Sequence, residues 1–180
     1  TLPTSKENPT VTFYWNNETV KIKNVKDLKN QEFSDVQDEQ TLLRLLITEA
    51  MKIWNEVPGS FLNLELEIDS TIKADSSDNK NAIVINKDLG PTVSAYALPI
   101  IKDKKISDCD ISLGSKETEA KEMLYLLTHE IGHCLGLGHA HENYKSLMGY
   151  SRINYNASLS ADDMAGIIYL YPEGDYHKNA

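Results

Sequence analysis

His129-Glu130-Ile131-Gly132-His133-Cys134-Leu135-Gly136-Leu137-Gly138-His139 is the stretch on which the reading of this chain turns. Its spacing is H-E-x-x-H-x-x-G-x-x-H. On a helix, residues four apart lie within about 40° of each other around the axis, so His129 and His133 point the same way from successive turns. Two neutral imidazoles so placed can share one zinc ion at about 2.0–2.1 Å. Glu130 is too close in sequence to His129 to join the same tetrahedron, but its carboxylate can take the proton of a metal-bound water. Gly136 suits the end of that helix, where a left-handed residue turns the chain at little steric cost. The turn brings His139 back as third ligand. Three protein ligands leave the fourth position to water, the pattern of a catalytic rather than a closed structural site. Histidine is scarce: of five in the chain, three fall in this motif.

Composition narrows the field further. The chain has 180 residues, enough for one domain with a proper core. Hydrophobic content of 41% and charged content of 25% suit a soluble globular protein. A net charge of −9 argues against nucleic-acid binding and against anionic membrane surfaces. The apolar run from Leu42 to Met51 is broken by Arg44, Thr48 and Glu49, so no membrane span is expected. The only cysteines are Cys109 and Cys134, which could form one disulfide or remain two buried thiols. Sequons at Asn17-Glu18-Thr19 and Asn156-Ala157-Ser158 matter only in a glycosylating source.

In chain order, residues 1–10 hold two prolines and little to bury, and read as a flexible leader. Val11 to Trp15 is β-branched and aromatic, a first strand; residues 16–37 read as a surface connection with a short strand at Thr19–Ile22. Leu42, Leu45, Leu46, Ala50, Ile53 and Trp54 then recur at helical intervals, and Pro58-Gly59 ends that helix. Leu62, Leu64, Leu66 and Ile68 alternate with polar residues, a half-buried strand. Residues 69–80 form a polar loop whose aspartates lack the spacing of a calcium-binding helix–loop–helix, and are read as solvated. Ala82–Ile85 is a short buried strand, Val93–Leu98 another stopped by Pro99, and Ile106–Leu113 a third. Lys116 to Leu135 is the helix that carries the motif, with Met123, Leu124, Leu127, Ile131 and Leu135 inward.

The eleven-residue motif resembles that of the metzincin metallopeptidases. Downstream, Ser146-Leu147-Met148-Gly149-Tyr150 is similar to the Met-turn of that clan. The stretch Leu159-Ser160-Ala161-Asp162-Asp163-Met164-Ala165-Gly166-Ile167-Ile168-Tyr169-Leu170-Tyr171 resembles the last helix of the matrixin branch, to which the matrix metalloproteinases belong. This resemblance implies an α+β, zincin-like fold: a twisted, mixed, mainly parallel sheet of about five strands, two long helices, and a small lower lobe with the Met-turn and a C-terminal helix. It implies one catalytic domain over residues 11–172, with the upper lobe to about 136, the lower lobe at 137–172 and a tail at 173–180.

The resemblance also implies roles. His129, His133 and His139 hold one catalytic Zn2+, Glu130 is the general base, and Met148 lies beneath the metal as a structural residue. Tyr150 stands where matrixins carry proline. A tyrosine there resembles the astacin and serralysin branches, in which it reaches the zinc or the oxyanion; a tyrosine that only lines the cleft wall is the alternative. Ser94, Ala95, Tyr96 and Ala97 would pair with substrate along the upper rim. Tyr150, Ser151, Ile153 and Tyr155 would wall the main specificity pocket, for an apolar residue after the cut. Ser160-x-x-Asp163 is first a capping pattern. His141 and His177 read as solvated. With no histidine before 129, and Tyr96 where one would be expected, a second, structural zinc is not expected. Calcium is left open, with no residues assigned.

These readings converge on a secreted, extracellular, monomeric zinc endopeptidase acting on protein or peptide substrates, without nucleic acid or membrane span. No hinge or propeller-like domain follows residue 172, so the expectation is a minimal matrixin-like enzyme, with a microbial source left open. The rival reading is a catalytically silent zinc-binding or protein-interaction module of the same fold.

Overall fold

The computed structural model describes residues 2, 4–28, 31–90, 92–141, 143, 145–150 and 155–174. The strands are β1 (Thr10–Trp15), β2 (Ile22–Lys23), β3 (Asn63–Ile68), β4 (Asn81–Asn86), β5 (Ala95–Lys102), β6 (Lys105–Gly114) and β7 (Thr118–Glu119). The helices are α1 (Gln31–Ser34), α2 (Glu39–Asn55), α3 (Ala120–Cys134) and α4 (Ala161–Leu170), with a short 3-10 helix at Val25–Leu28. Five strands form one sheet in the order β3-β1-β4-β6-β5. All neighbours run parallel except β5, which lies antiparallel to β6 on an edge. A mixed, mainly parallel sheet with long helices against it is the α+β architecture the sequence implied.

Helix α2 starts where Asp38 accepts the Thr41 N–H at 2.7 Å, an N-cap bond that satisfies one orphan donor. Its buried face is Leu42, Leu43, Leu46, Ile47, Ala50, Met51 and Trp54. Leu45 and Ile53, expected inward, sit at the margin, because the stripe is centred one residue further on. Helix α3 is buried on nearly every side, and Trp54 of α2 donates its indole N–H to the Thr128 carbonyl at 2.9 Å. That bond locks the two long helices together one residue before His129. Among the described residues, no helix is long and apolar enough to cross a membrane.

Several boundaries differ from expectation for physical reasons. Pro99 does not stop β5, which runs through it to Lys102. On an edge strand the missing N–H can face outward, where no ladder bond is lost. Helix α3 begins at Ala120, not Lys116, because Thr118–Glu119 pair with β2 instead. Ile68 is 54% exposed, since β3 is the other edge and its end passes beyond the core. Residues 16–37 are more than a surface connection: Val20, Ile22 and Phe33 are buried.

The leader is tied down at Leu2, whose side chain is buried. Its peptide N–H donates to Tyr171 Oη at 3.0 Å, and Tyr171 Oη donates to the Leu135 carbonyl at 2.8 Å. The start of the described chain is thereby joined to the end of α3. On the opposite side of the sheet, Asp110 accepts the Ala82 N–H at 3.0 Å and Asp108 accepts the Asn79 N–H at 3.1 Å. Burial, resisted by the Ala82 bond and aided by the charges of Asp108, Asp78 and Asp75, pushes the Asp110 carboxyl up to about 6.

Candidate metal centre

Three imidazoles converge where α3 ends. His129 and His133 face the same way from successive turns of α3. Gly136 follows with φ 101°, and its N–H donates to the His133 carbonyl at 2.9 Å while that of Leu137 donates to Gly132 at 3.0 Å. This is a helix stop that only a residue without Cβ adopts cheaply. Ala140 then donates its N–H to the Met148 carbonyl at 2.8 Å, which holds the strand bearing His139 against the Ser146–Gly149 turn. His139 Nε2 comes to lie 3.3 Å from Nε2 of His129 and 3.2 Å from Nε2 of His133.

Each α3 histidine is fixed from behind by a backbone carbonyl. His129 Nδ1 lies 2.8 Å from the Leu147 carbonyl and His133 Nδ1 lies 2.9 Å from that of Leu137. A carbonyl can only accept, so both Nδ1 atoms carry the hydrogen and both Nε2 atoms present a lone pair. Lone pairs this close repel unless a proton or cation lies between them. One shared proton cannot serve three nitrogens, whereas one tetrahedral zinc can, with a fourth position left over. Partial enclosure of His139, with the neighbouring His133 and His141, lowers its pKa and favours the neutral ligand form.

Around the histidines is a cavity of about 380 Å³, lined among the described residues by Ala95, Tyr96, Ala97, Tyr125, Glu130 and Tyr150 together with the three rings. Glu130 is only 7% exposed, on the same wall as the histidines. Tyr150 is 58% exposed and lies with its ring centroid 4.5 Å from that of His139. The exposed His141 sits 5.1 Å from Tyr150, at the rim and outside the trio. Tyr125 stacks on His129 at 5.7 Å and meets Tyr155 edge-on at 6.0 Å.

The Ser146–Gly149 turn is buried beneath the trio, with the Gly149 N–H on the Ser146 carbonyl at 3.0 Å. A Cβ at Gly132 would come within 2.5 Å of Met148 Sδ and 2.9 Å of Trp54 Cζ2, so the bare glycine is what lets Met148 seat against α3. Asp163 holds this turn from below. Its carboxylate accepts from the Ser146 hydroxyl, from the Leu147 N–H at 2.9 Å and from the Met148 N–H at 3.1 Å. It also closes a capping box with Ser160 at the start of α4. Burial resists the charge, but the bonds from Ser146, Ser160 and Leu147 outweigh it and hold the carboxyl below its usual range.

Of the rim residues expected from the sequence, Ala95, Tyr96, Ala97 and Tyr150 line the cavity. Ser94 does not; its carbonyl is occupied by the Gly114 N–H at 2.8 Å. Tyr155 stands behind Tyr125 rather than in the lining. Ser151 and Ile153 lie outside the described residues, as does His177. Cys109 and Cys134 are joined by a disulfide with Cα atoms 5.4 Å apart, tying β6 to the residue after His133. The sequence reading missed Tyr125, the two orienting carbonyls and the grip of Asp163 on the turn. A main-chain carbonyl leaves no mark in a sequence, and the capping pattern at Ser160 concealed the second use of Asp163.

Comparison with known proteins places this geometry in context. A family model described as Matrixin matches residues 14–172. Stromelysin-3 of Xenopus laevis is 28% identical over 132 residues, which is 72% of this chain but 28% of that protein. The chain thus spans less than a third of the length of that relative. Among solved structures, a chain of the GM1 bound form of the ECX AB5 holotoxin superposes with a TM-score of 0.57 at 11% identity, covering 91% of this chain and 80% of that one. At that identity the likeness speaks for the fold alone.

Proposed function

The chain belongs to the matrixin family, and from that premise we propose that it is a zinc-dependent endopeptidase that hydrolyses peptide bonds of protein substrates. The observation that supports this most strongly is the convergence of three Nε2 atoms, with the His129 and His133 tautomers fixed by carbonyls, in one cavity with Glu130. His129, His133 and His139 are the residues that would hold the metal. Bound there, zinc supplies a Lewis acid that polarises the scissile carbonyl and acidifies water.

The protein's own groups do the rest. The free edge of β5 offers main-chain donors and acceptors at Ala95–Ala97, against which an extended substrate adds as a further strand. This recognition tolerates many sequences. The Glu130 carboxylate takes a proton from the attacking water and then delivers it to the nitrogen of the leaving amine. Tyr150 donates its phenolic hydrogen to the carbonyl oxygen as that oxygen gains charge, a role supported by its place over His139. Tyr125 and Tyr150, with Tyr155 edge-on behind Tyr125, form an aromatic wall suited to an apolar side chain after the cut. Met148, in what we read as the Met-turn, cushions α3 beneath the ligands. The Cys109–Cys134 disulfide fits an oxidising, extracellular setting.

Cleavage of a mixed quenched-peptide library tests the proposal. Turnover is expected with the purified chain, should vanish with a chelator, return with one equivalent of zinc, and select apolar residues after the cut. Stoichiometric zinc binding without cleavage of any library peptide or unfolded protein would favour the silent-module reading instead.

A further inference from the structure

Strand β5 passes two different surfaces. Its first residues border the histidine cavity, but Ala97, Pro99 and Ile101 line a second groove of about 330 Å³, whose other wall includes Ile106, His133 and Leu137. The two share Ala97 and His133, but Tyr125 and Tyr150 line the first and not the second. The ladder to β6 shifts register between Ile100 and Ile101, and the strand then ends in a tight turn. Asp103 (φ 49°) and Lys104 (φ 64°) both adopt the left-handed conformation there without being glycine. The turn projects Lys102, Lys104 and Lys105, all exposed, around the single carboxylate of Asp103. Beside them Ile101 is 68% exposed. Among the described residues these three lysines form no ion pair with the rest of the chain. A concentrated cationic tip is conspicuous in a protein of net charge −9.

Pro99 explains why side chains must act here. A proline on an edge strand leaves its outer edge without a donor, so main-chain pairing cannot carry recognition past it as it does at Ala95–Ala97. Resting on the peptidase reading, in which the aromatic wall takes the residue after the cut, the second groove faces the residues before it. We propose that the groove and the β5–β6 turn form an extended recognition site for an acidic substrate segment preceding the scissile bond. An apolar side chain enters the groove, and carboxylates meet Lys102, Lys104 and Lys105. An extended chain advances about 3.3 Å per residue, so the five steps from Ala97 to Lys102 place the acidic residues about five to seven positions before the cut.

The test uses labelled peptides that share one core and carry glutamates or serines at those positions. Binding is read by fluorescence anisotropy on the zinc-loaded chain bearing Glu130→Gln, so that turnover does not intervene. The glutamate peptide should bind about tenfold tighter at low salt, and the advantage should vanish in about 0.5 M salt. It should also vanish when Lys102, Lys104 and Lys105 are all replaced by serine, with the serine peptide's affinity unchanged. Equal binding of the two peptides, or a preference that survives the triple replacement, overturns the proposal. Parallel kcat/KM values on the unsubstituted chain report the peptidase reading separately: charge-dependent binding without cleavage would fault that reading while supporting the surface.

Discussion

The backbone of Leu147 joins Asp163 to His129: its N–H donates to the buried carboxylate at 2.9 Å while its carbonyl lies 2.8 Å from His129 Nδ1. A helix that follows the site in sequence thus orients a ligand on the helix that precedes it. Asn at 163 cannot accept every bond that the carboxylate accepts. Asp163→Asn is expected to weaken zinc binding about 10- to 100-fold, measured by chelator competition. Unchanged affinity would break the proposed link. Because the folded-state pKa of Asp163 is depressed, its contribution to stability is present above the ordinary carboxylate pKa and lost as pH falls through the lowered one. The variant should therefore lose most stability, relative to the parent, at neutral pH, and the loss should shrink as acid takes the pH below the ordinary carboxylate range.

Gly132 is the point of closest approach between α3, Met148 and Trp54. Gly132→Ala adds a methyl that must displace both. Although alanine favours helix, overpacking should dominate and lower stability by about 1–3 kcal/mol in a denaturant titration. A stabilised variant would mean that Met148 yields freely and does not brace the helix.

Asp110 carries the opposite pH signature to Asp163. Its folded pKa is raised to about 6, so its favourable contribution is complete below the ordinary carboxylate pKa and is lost as pH rises through about 6. Asp110→Asn keeps an oxygen for the Ala82 N–H without the charge. In the presence of chelator, the parent's thermal midpoint should fall relative to the variant's between about pH 4 and pH 7.5. A flat difference across that range would contradict the raised value.

The Cys109–Cys134 bond closes a loop with a sequence separation of 25 and ends beside His133. Replacing both cysteines by serine should cost about 3 kcal/mol of stability, read from denaturant midpoints. Zinc retention should fall as well, because the end of α3 is no longer pinned to β6. A loss of stability with metal affinity unchanged would confine the bond to a general staple.

How much of this was legible beforehand depended on whether side-chain spacing alone carries the information. The histidine trio was, since the i, i+4 interval and Gly136 dictate a geometry with few alternatives. The buried run at Ala82–Ile85 and the Glu39–Asn55 helix were legible for the same reason, as periodicity reports burial directly. Pro99 misled because a proline reads as a stop unless the strand is known to lie on an edge, which is a property of the whole sheet. The start of α3 misled because the short β2–β7 pairing, remote in sequence, claims Thr118–Glu119. Whether Cys109 and Cys134 were bonded depended on where β6 lies relative to α3. The orienting carbonyls of Leu137 and Leu147 belong to the backbone, which every residue shares.

The most direct measurement compares the parent chain with Glu130→Gln, each loaded with one equivalent of zinc, on a single quenched peptide bearing an apolar residue after the cut. Glu130 is read as proton carrier and not as ligand, so zinc stoichiometry and affinity should match in the two proteins. Cleavage should fall by at least about 100-fold in the variant. Equal cleavage rates with equal zinc content would contradict the assignment of Glu130 as the base, and with it the proposed mechanism.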